Sequence, residues 1–574
     1  MKIVKYKLKN EDILYYLAKS VRTGKQVKTV NIEKLGKHSD LILKHKDPLT
    51  YLKAYAKKRT AEEKEDFLSI KIDLQQAVLH HKDQKTSHSK LLNIGYFFLN
   101  DIYKALKLDT FFKDITKDTK VEYNPHQALK FLTFARILDP KSKLGTFDDL
   151  NNYYEKPKIK LQDIYKTLDL VSEHLDQYQT HLYRESINIS KRNTSILYYD
   201  CTNYFFEIEC EDHFRKYGQG KDHKPNPIVQ MGLFMDGDGI PLAFSLNPGN
   251  TNEQQTTLPL EKKIVKDFKL SNFIYVSDGG LNSNETRFYN SFGNRDYIVT
   301  QSLKKLKRSE QDLILTDDHW QSISTGKLKS LSTLKDDDQD TYYKVMWIDH
   351  PIDVGLRELT QSGQLKKKTS FKQRLIVTYQ KKYALYQSAL RLKQIQRAAD
   401  LIQSNRVDQV SQNSPKRLIE QKGEVSYDLD LDKIKDEIKY DGYYALVTSL
   451  EDDDVKDILK ASARRWEIEE SFRILKSNFK ARPVFHRKDT RIISHFAICF
   501  TALLVYRLLE KKLDSKYTIY EIIDTLRALN VVSLNEALFK STYSGSELLD
   551  QLCVIFDKKI NKNIYTNVQL NKNK

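Results

Sequence analysis

Three carboxylates have settings that could do chemistry. Asp200 ends the apolar run Ile196, Leu197, Tyr198, Tyr199, and Asp278 ends Phe273, Ile274, Tyr275, Val276, Ser277, so each acid stands beside a segment that reads as a buried strand. A single Asp after a strand ordinarily starts a turn and does nothing more. Two of them on strands of one sheet are better read as sharing a cleft. The third acid, Glu469, lies in ASARRWEIEESFRILKSNF, which reads as one helix. At about 100° per residue, Ser462, Arg465, Arg473 and Lys476 fall within roughly 40° of Glu469. Ile468, Phe472, Leu475 and Phe479 form an adjoining apolar stripe. Such a helix buries its stripe and holds one carboxylate among three cations. A plain salt-bridged surface would give the same charge pattern.

The chemistry that suits this grouping is phosphoryl transfer. In-line attack on a phosphodiester is served by two hard cations about 4 Å apart that bind the attacking and leaving oxygens, and Mg²⁺ takes oxygen ligands. On this reading Asp200 bridges two Mg²⁺ ions, for which Mn²⁺ can substitute, and Asp278 and Glu469 each complete one. Arg465 then grips a flanking phosphate with two prongs and Lys476 as a point charge, with Arg473 beside them. In the loop GQGKDHKPNP, Lys221, His223 and Lys224 follow the first strand closely enough to meet a DNA backbone; a solvated loop is an equal reading.

The elements that must position these residues can be read in outline. SILYYDCTNYFFEIE reads as a strand, IVQMGLFMDGDGIPLAFSL as a hairpin about Asp236 to Gly239, EQQTTLPLEKKIVKDF as a helix and FIYVSDGG as a further strand. That succession opens a ribonuclease H-like α/β domain. The expected division is a basic N-terminal DNA-binding module at 1–90, with a turn at Gly24, and a helical domain at 91–190. The first part of the core follows at 191–302, then a mixed insertion at 303–440, the second part of the core with the glutamate helix at 441–515, and a C-terminal region at 516–574 that could serve dimerisation.

Composition bounds the partners. The chain has 574 residues, 95 basic against 77 acidic, for a net charge of +18. Residues 1–90 hold 21 basic and 11 acidic residues, more than half of that excess, which favours a polyanion. An abundance of Lys from base composition alone would not cluster it there. Cys201, Cys210, Cys499 and Cys553 form no CxxC pair, so a reducing cytoplasm and no structural zinc are expected. The N-terminus is charged throughout, and the longest apolar run, Phe496 to Tyr506, is about half a membrane span. No membrane partner follows. The absence of GxSxG and GxxxxGK[ST] argues against acyl-enzyme chemistry and a nucleotide cofactor.

Taken together, SVRTGKQVKTVNIEKLGK, ILDPKSKL, LYYDCTNYFFE, GKDHKPNPIVQMGLFMDGDGIPL, NPGNTNEQQTTL, IYVSDGGLNS, KYDGYYALVTS and RRWEIEESFRILK resemble, nearly end to end, the insertion-sequence DDE transposases whose glutamate lies in a Tyr-Arg-Glu-Lys signature. The resemblance puts Arg465, Glu469 and Lys476 on the signature's Arg, Glu and Lys. Ser462 stands where its Tyr would be. It implies a β-rich insertion before the glutamate helix, which suits the 191 residues from Asp278 to Glu469. It also implies cleavage at transposon terminal inverted repeats, attack of the freed 3′-OH on target DNA without a covalent protein intermediate, a homodimer on DNA, and a bacterial cytoplasm, on the nucleoid.

Rival readings use the same residues. A ribonuclease H-like nuclease would cut without joining, an inactive remnant would only bind DNA, and a glycosidase with paired carboxylates is disfavoured by the basic surround of Glu469. Trp320 and Trp347 could stack on a flipped base but read first as core, Trp347 the more so in its apolar strand. His495 reads as a core or capping histidine. Asp441 and Asp452 to Asp454 read as a solvated helix start.

Overall fold

In the computed structural model of the chain, which describes all residues except 9–10, 24–25, 46, 67–90, 222–223, 352–356, 360–364, 368–369, 410–414, 423–425 and 536, two units separate: Met1–His88 and Ser89–Lys574. In the first, strands Lys2–Lys7, Ile13–Thr23 and Gln26–Lys37 form an antiparallel sheet, followed by helices His38–Ile42 and Pro48–Asp66. Tyr15, Leu41 and Leu52 make its small core. The turn expected at Gly24 lies outside the described residues.

The second unit begins with helices whose apolar residues recur at three-and-four spacing, among them α1 (Pro125–Leu138), α2 (Leu161–Glu173) and α3 (Leu175–Ile189). Asn124 caps α1 by accepting the Gln127 N–H at 3.1 Å, with Pro125 in the first turn. Then comes a ten-stranded mixed sheet. Its strands are β1 (Ile196–Phe205), β2 (Ile228–Asp236), β3 (Pro241–Pro248), β4 (Asn272–Ser277), β5 (Asn294–Thr300), β6 (Trp320–Ser322), β7 (Leu328–Lys329), β8 (Tyr342–Pro351), β9 (Ser370–Tyr379) and β10 (Tyr443–Thr448). The order is β7-β6-β8-β9-β10-β5-β4-β1-β2-β3. Strands β1, β2 and β3 run antiparallel, whereas β1 to β4 and β4 to β5 are parallel. Helix α4 (Thr257–Asp267) makes the crossover from β3 to β4.

Strands from the expected insertion form two small ribbons of their own, Arg357–Leu359 with Leu365–Lys367 and Ile419–Lys422 with Ser426–Leu429, but most of them join the main sheet. β6 to β9 continue the main sheet past β10 and β5, and the long helix α5 (Lys381–Gln403) follows β9. Of the two tryptophans expected as core, Trp320 is and Trp347, the one expected the more firmly, is not. Trp320 is fully buried and donates its Nε1–H to the Thr316 carbonyl at 3.0 Å, while Trp347 is half exposed. β8 has one covered face and one open face, and alternation puts Trp347 with Val345 on the open one.

The segment expected as one glutamate helix is broken. It runs as α6 (Val455–Ala463), a turn at Arg464 and Arg465, α7 (Trp466–Arg473) and one π-helical turn at Ile474–Asn478. The break coincides with a contact from β1. The Tyr198 hydroxyl donates to the Ala461 carbonyl at 2.9 Å, the acceptor that a continuous helix would offer to the Arg465 N–H, and that N–H turns to Ser462 O at 3.3 Å instead. Ile468, Phe472, Leu475 and Phe479 are all buried, as an inward stripe requires.

Helix α8 (Asp489–Lys512) closes the core. Among the described residues it is the one helix long and apolar enough to cross a membrane, and it is almost wholly buried, packed on α1 and α2. Tyr178 of α3 and Thr501 of α8 share a hydrogen bond of 2.6 Å. The C-terminal region returns to the start of the unit, where Asn530–Asn535 pairs with Leu91–Asn93.

Candidate active site

Strand parity fixes the first two acids. On β1, Leu197, Tyr199 and Cys201 face one core, while Tyr198 and Tyr204 face the core built on α8. Asp200 has the parity of Tyr198 and Tyr204, so it points toward the helices that follow β10. Tyr199 lies opposite Ser277 in the parallel β1–β4 pair. One residue further, Asp200 and Asp278 therefore emerge on the same face of neighbouring strands, whose spacing is about 5 Å.

Their surroundings differ. Asp200 is part-buried and accepts the Cys201 N–H at 2.7 Å. Burial pushes its carboxyl up to about 6; Lys221, the Cys201 N–H and Arg465 pull it down, and Glu469 adds to the rise. Asp278 is 58% exposed. Its Oδ1 accepts the Gly279 N–H at 2.7 Å and the Thr300 hydroxyl, and faces Arg465 at 3.8 Å. A side chain at Gly279 would meet the Thr300 carbonyl at 2.2 Å, so only glycine lets this turn lie against β5.

Glu469 is exposed on α7, which packs against β1, and its charge is felt at Asp200. Side chains on its other faces fix the helix. Glu467 pairs with Arg464 at 2.8 Å, and Arg507 donates to the Ser471 hydroxyl at 2.9 Å.

Of the expected cations, Arg465 and Lys221 come to this cleft. Arg465 turns toward Asp278 with an Nη1 that is buried and makes no hydrogen bond. Lys221 reaches back to donate to the Cys201 carbonyl, its loop held by Asn203, which accepts the Lys221 N–H at 3.0 Å and donates to Gln219 O at 3.2 Å. Lys476 lies over the Tyr204 ring at 5.4 Å. Lys224 sits over the Phe205 ring at 5.3 Å, at the end of β1. Arg473 instead pairs with Glu470 at 3.0 Å on the exposed side of α7. Arg473 keeps the face of Glu469 within α7, whereas the projection fails for Ser462 because the break at Arg464 and Arg465 lies between it and Glu469. Ser462 is buried on α6. His223 lies outside the described residues. His495 is buried and bonded to the Ala481 carbonyl at 2.8 Å, Asp441 pairs with Arg391, and Asp454 caps α6 by accepting the Lys456 N–H.

Sequence reasoning missed Tyr444. It lies on β10, its phenol is held near Ser462 and Arg465 and raised above its ordinary value by burial, and it shares a cavity of about 580 Å³ with Asp278, Gln254 and Thr300. Two adjacent tyrosines in an apolar strand carry no signal of which one faces the cleft. A second cavity of about 1000 Å³, lined by Lys221, Lys224 and Glu253, meets the first at Gly280.

Among the described residues no three His, Cys, Asp or Glu side chains are gathered tightly enough to hold one ion. The donor set nevertheless suits Mg²⁺, which commonly takes one or two carboxylates and completes its shell with water and substrate phosphate. Burial holds the Asp200 carboxyl up even with Lys221 and Arg465 beside it, a penalty that an ion bound there would relieve.

A family model described as "Transposase DDE domain" matches residues 202–505, just over half of the chain, spanning Asp278 and Glu469 and beginning just past Asp200. No curated protein matches the chain. Among solved structures, the chain is similar to one titled as a cryo-EM structure of a piggyBac transposase synaptic complex with hairpin DNA. The likeness has a TM-score of 0.34 and 10% identity, over 76% of this chain and 78% of that one. A likeness so slight supports no conclusion by itself.

Proposed function

The chain belongs to the transposase DDE-domain family, and on that premise we propose that it cuts DNA at the ends of a mobile element and joins the freed 3′-OH to target DNA, with Asp200, Asp278 and Glu469 as its catalytic carboxylates. The observation that carries this reading is the placement of Asp200 and Asp278 on one face of adjacent parallel strands, beneath the helix that bears Glu469. The order β3-β2-β1-β4-β5, three strands antiparallel and two parallel, supports a ribonuclease H-like core.

Asp200 would share two divalent cations, Mg²⁺ or Mn²⁺, with Asp278 and Glu469. Bound there, these would supply Lewis-acid charge to the attacking and leaving oxygens of a phosphodiester. The protein's own groups do the rest. Arg465, whose Nη1 faces Asp278 at 3.8 Å without a hydrogen bond, would turn its guanidinium to a phosphate oxygen in the cleft, with the Tyr444 phenol beside it. Lys221 at Cys201 and Lys476 over Tyr204 place charge beyond Asp200 along β1, where they would meet a DNA strand. Arg473, bound to Glu470 on the outer face, would meet only DNA that extends beyond the cleft. The basic N-terminal unit would hold the element's end, two copies would pair two ends, and the work would be done in the cytoplasm.

Pre-cut element ends incubated with target DNA and Mg²⁺ or Mn²⁺ should give joined products. Cutting with no joining in either metal would leave a nuclease in the transposase's place. Asp200→Asn should abolish cleavage and keep DNA binding; cleavage that survives it would mean the wrong acid has been assigned.

A further inference from the structure

Beside the site, but not part of it, lies a cavity of about 440 Å³ between the end of α1 and the segment that follows the glutamate helix. Two of its lining cations are buried, Lys143 at 4% exposure and Arg136 at 5%. Among the described residues neither is paired with a carboxylate, and no Asp or Glu lines the cavity. Arg136 spends its Nη groups on the carbonyls of Phe479 and Lys480, both at 3.1 Å, and of Lys141 at 3.2 Å, and its Nε has no partner. Lys143 Nζ has His495 Nδ1 at 3.5 Å, a weak contact for an ammonium. Lys141, at the mouth, is already neutralised by Asp139 and Asp149.

An ammonium taken out of water without an acid is costly, and a fold gains nothing by it. Burial, with Arg136 beside it, pulls Lys143 down to about 7, and His486 is pulled to about 4. What this cavity lacks is negative charge. It is also joined to the catalytic cleft by a basic track. Arg482 lies over the Phe205 ring at 5.0 Å and Lys224 over the same ring at 5.3 Å. Phe205 is five residues beyond Asp200 on β1, about 17 Å along a strand. An exposed Phe485 at the mouth offers an apolar face to an adjoining sugar or base.

We propose that this cavity is a phosphate site in which Lys143, with the Arg136 guanidinium adding its charge, receives the backbone oxygens of a DNA strand, several nucleotides from the bond that is cut. The assignment rests on the reading that the chain acts on DNA. Lys143 is then a DNA-binding residue that holds the substrate strand in register without touching the reacting atoms.

The test is Lys143→Met, with Lys143→Gln as a second variant, in the full-length protein. Thermal unfolding establishes that each folds, and the Met variant is expected to melt at or above the wild-type midpoint. DNA affinity by fluorescence anisotropy should fall about tenfold at low salt, and the salt slope should drop by about one. Inorganic phosphate, against chloride at equal ionic strength, should raise the wild-type midpoint and leave both variants unmoved. Folded variants that bind DNA with the wild-type affinity and slope overturn the proposal. A Lys143-dependent phosphate shift with unchanged DNA binding overturns the DNA assignment in favour of a free anion. Should the wild type not bind DNA at all, the proposed function has failed, and the missing DNA ligand overturns this assignment whatever phosphate does.

Discussion

Replacing Asp200 by Asn should make the metal-free protein more stable at neutral pH while abolishing its chemistry. Burial raises this carboxyl from its ordinary 3.8 to about 6, so ionising it costs the fold about two units, ~3 kcal/mol. The folded value lies above the unfolded one. The stability that follows is fully present below pH ~3.8 and is lost as pH rises through ~6, at roughly 1.4 kcal/mol per unit. Asn does not titrate, keeps the shape, and can still accept the Cys201 N–H. The difference between variant and wild type, followed by calorimetry in EDTA, should therefore be near zero at pH 4 and approach ~3 kcal/mol in favour of Asn at pH 7. Taking the difference cancels the acid sensitivity that both proteins share. Adding Mg²⁺ should then stabilise the wild type and not the variant, since an ion that binds only the native state raises its stability by mass action. An Asn variant no more stable than wild type at pH 7, or an advantage that does not shrink toward acid pH, would refute the idea that this carboxylate waits for a cation.

Other perturbations follow from the same geometry. Glu261 is fully buried, and burial pushes it from 4.5 to about 8 against the pull of Asn290 and Arg295. Glu261→Gln should match wild type at pH 4.5 and gain on it up to pH 8, by at most ~5 kcal/mol; thermal midpoints that stay parallel across that window exclude this. Arg192 pairs with Asp236, both almost fully buried, and donates to Ser186 Oγ at 2.6 Å. Arg192→Met leaves the carboxylate alone in the interior and should cost ~3–5 kcal/mol, so an unchanged urea midpoint would show the pair to be idle. Tyr444→Phe removes the hydroxyl beside Arg465 and should slow strand cleavage by about tenfold, the worth of one hydrogen bond to a charged group, with DNA affinity held within about twofold. Equal single-turnover rates for the two proteins would remove Tyr444 from the site.

The features legible in the sequence were those that a local period determines. Asp200 and Asp278 could be placed because each closes an apolar run, and the stripe Ile468, Phe472, Leu475, Phe479 told which side of the glutamate helix turns inward. What could not be read depends on partners distant in the chain. The break at Arg464 and Arg465 coincides with a bond from the hydroxyl of Tyr198, 263 residues before the carbonyl it takes, and no window of α6 contains it. Trp320 and Trp347 were ranked by the apolarity of their strands, whereas their burial depends on which sheet face another layer covers. Lys143 shows the same limit from the other side. In ILDPKSKL it reads as one more surface lysine, and only the return of α8 and the segment after the glutamate helix encloses it beside Arg136. A site assembled across several elements thus reveals its acids early, because acids break apolar periods, and its cations late, because a lysine in a charged loop looks the same whether it faces water or an enclosed phosphate.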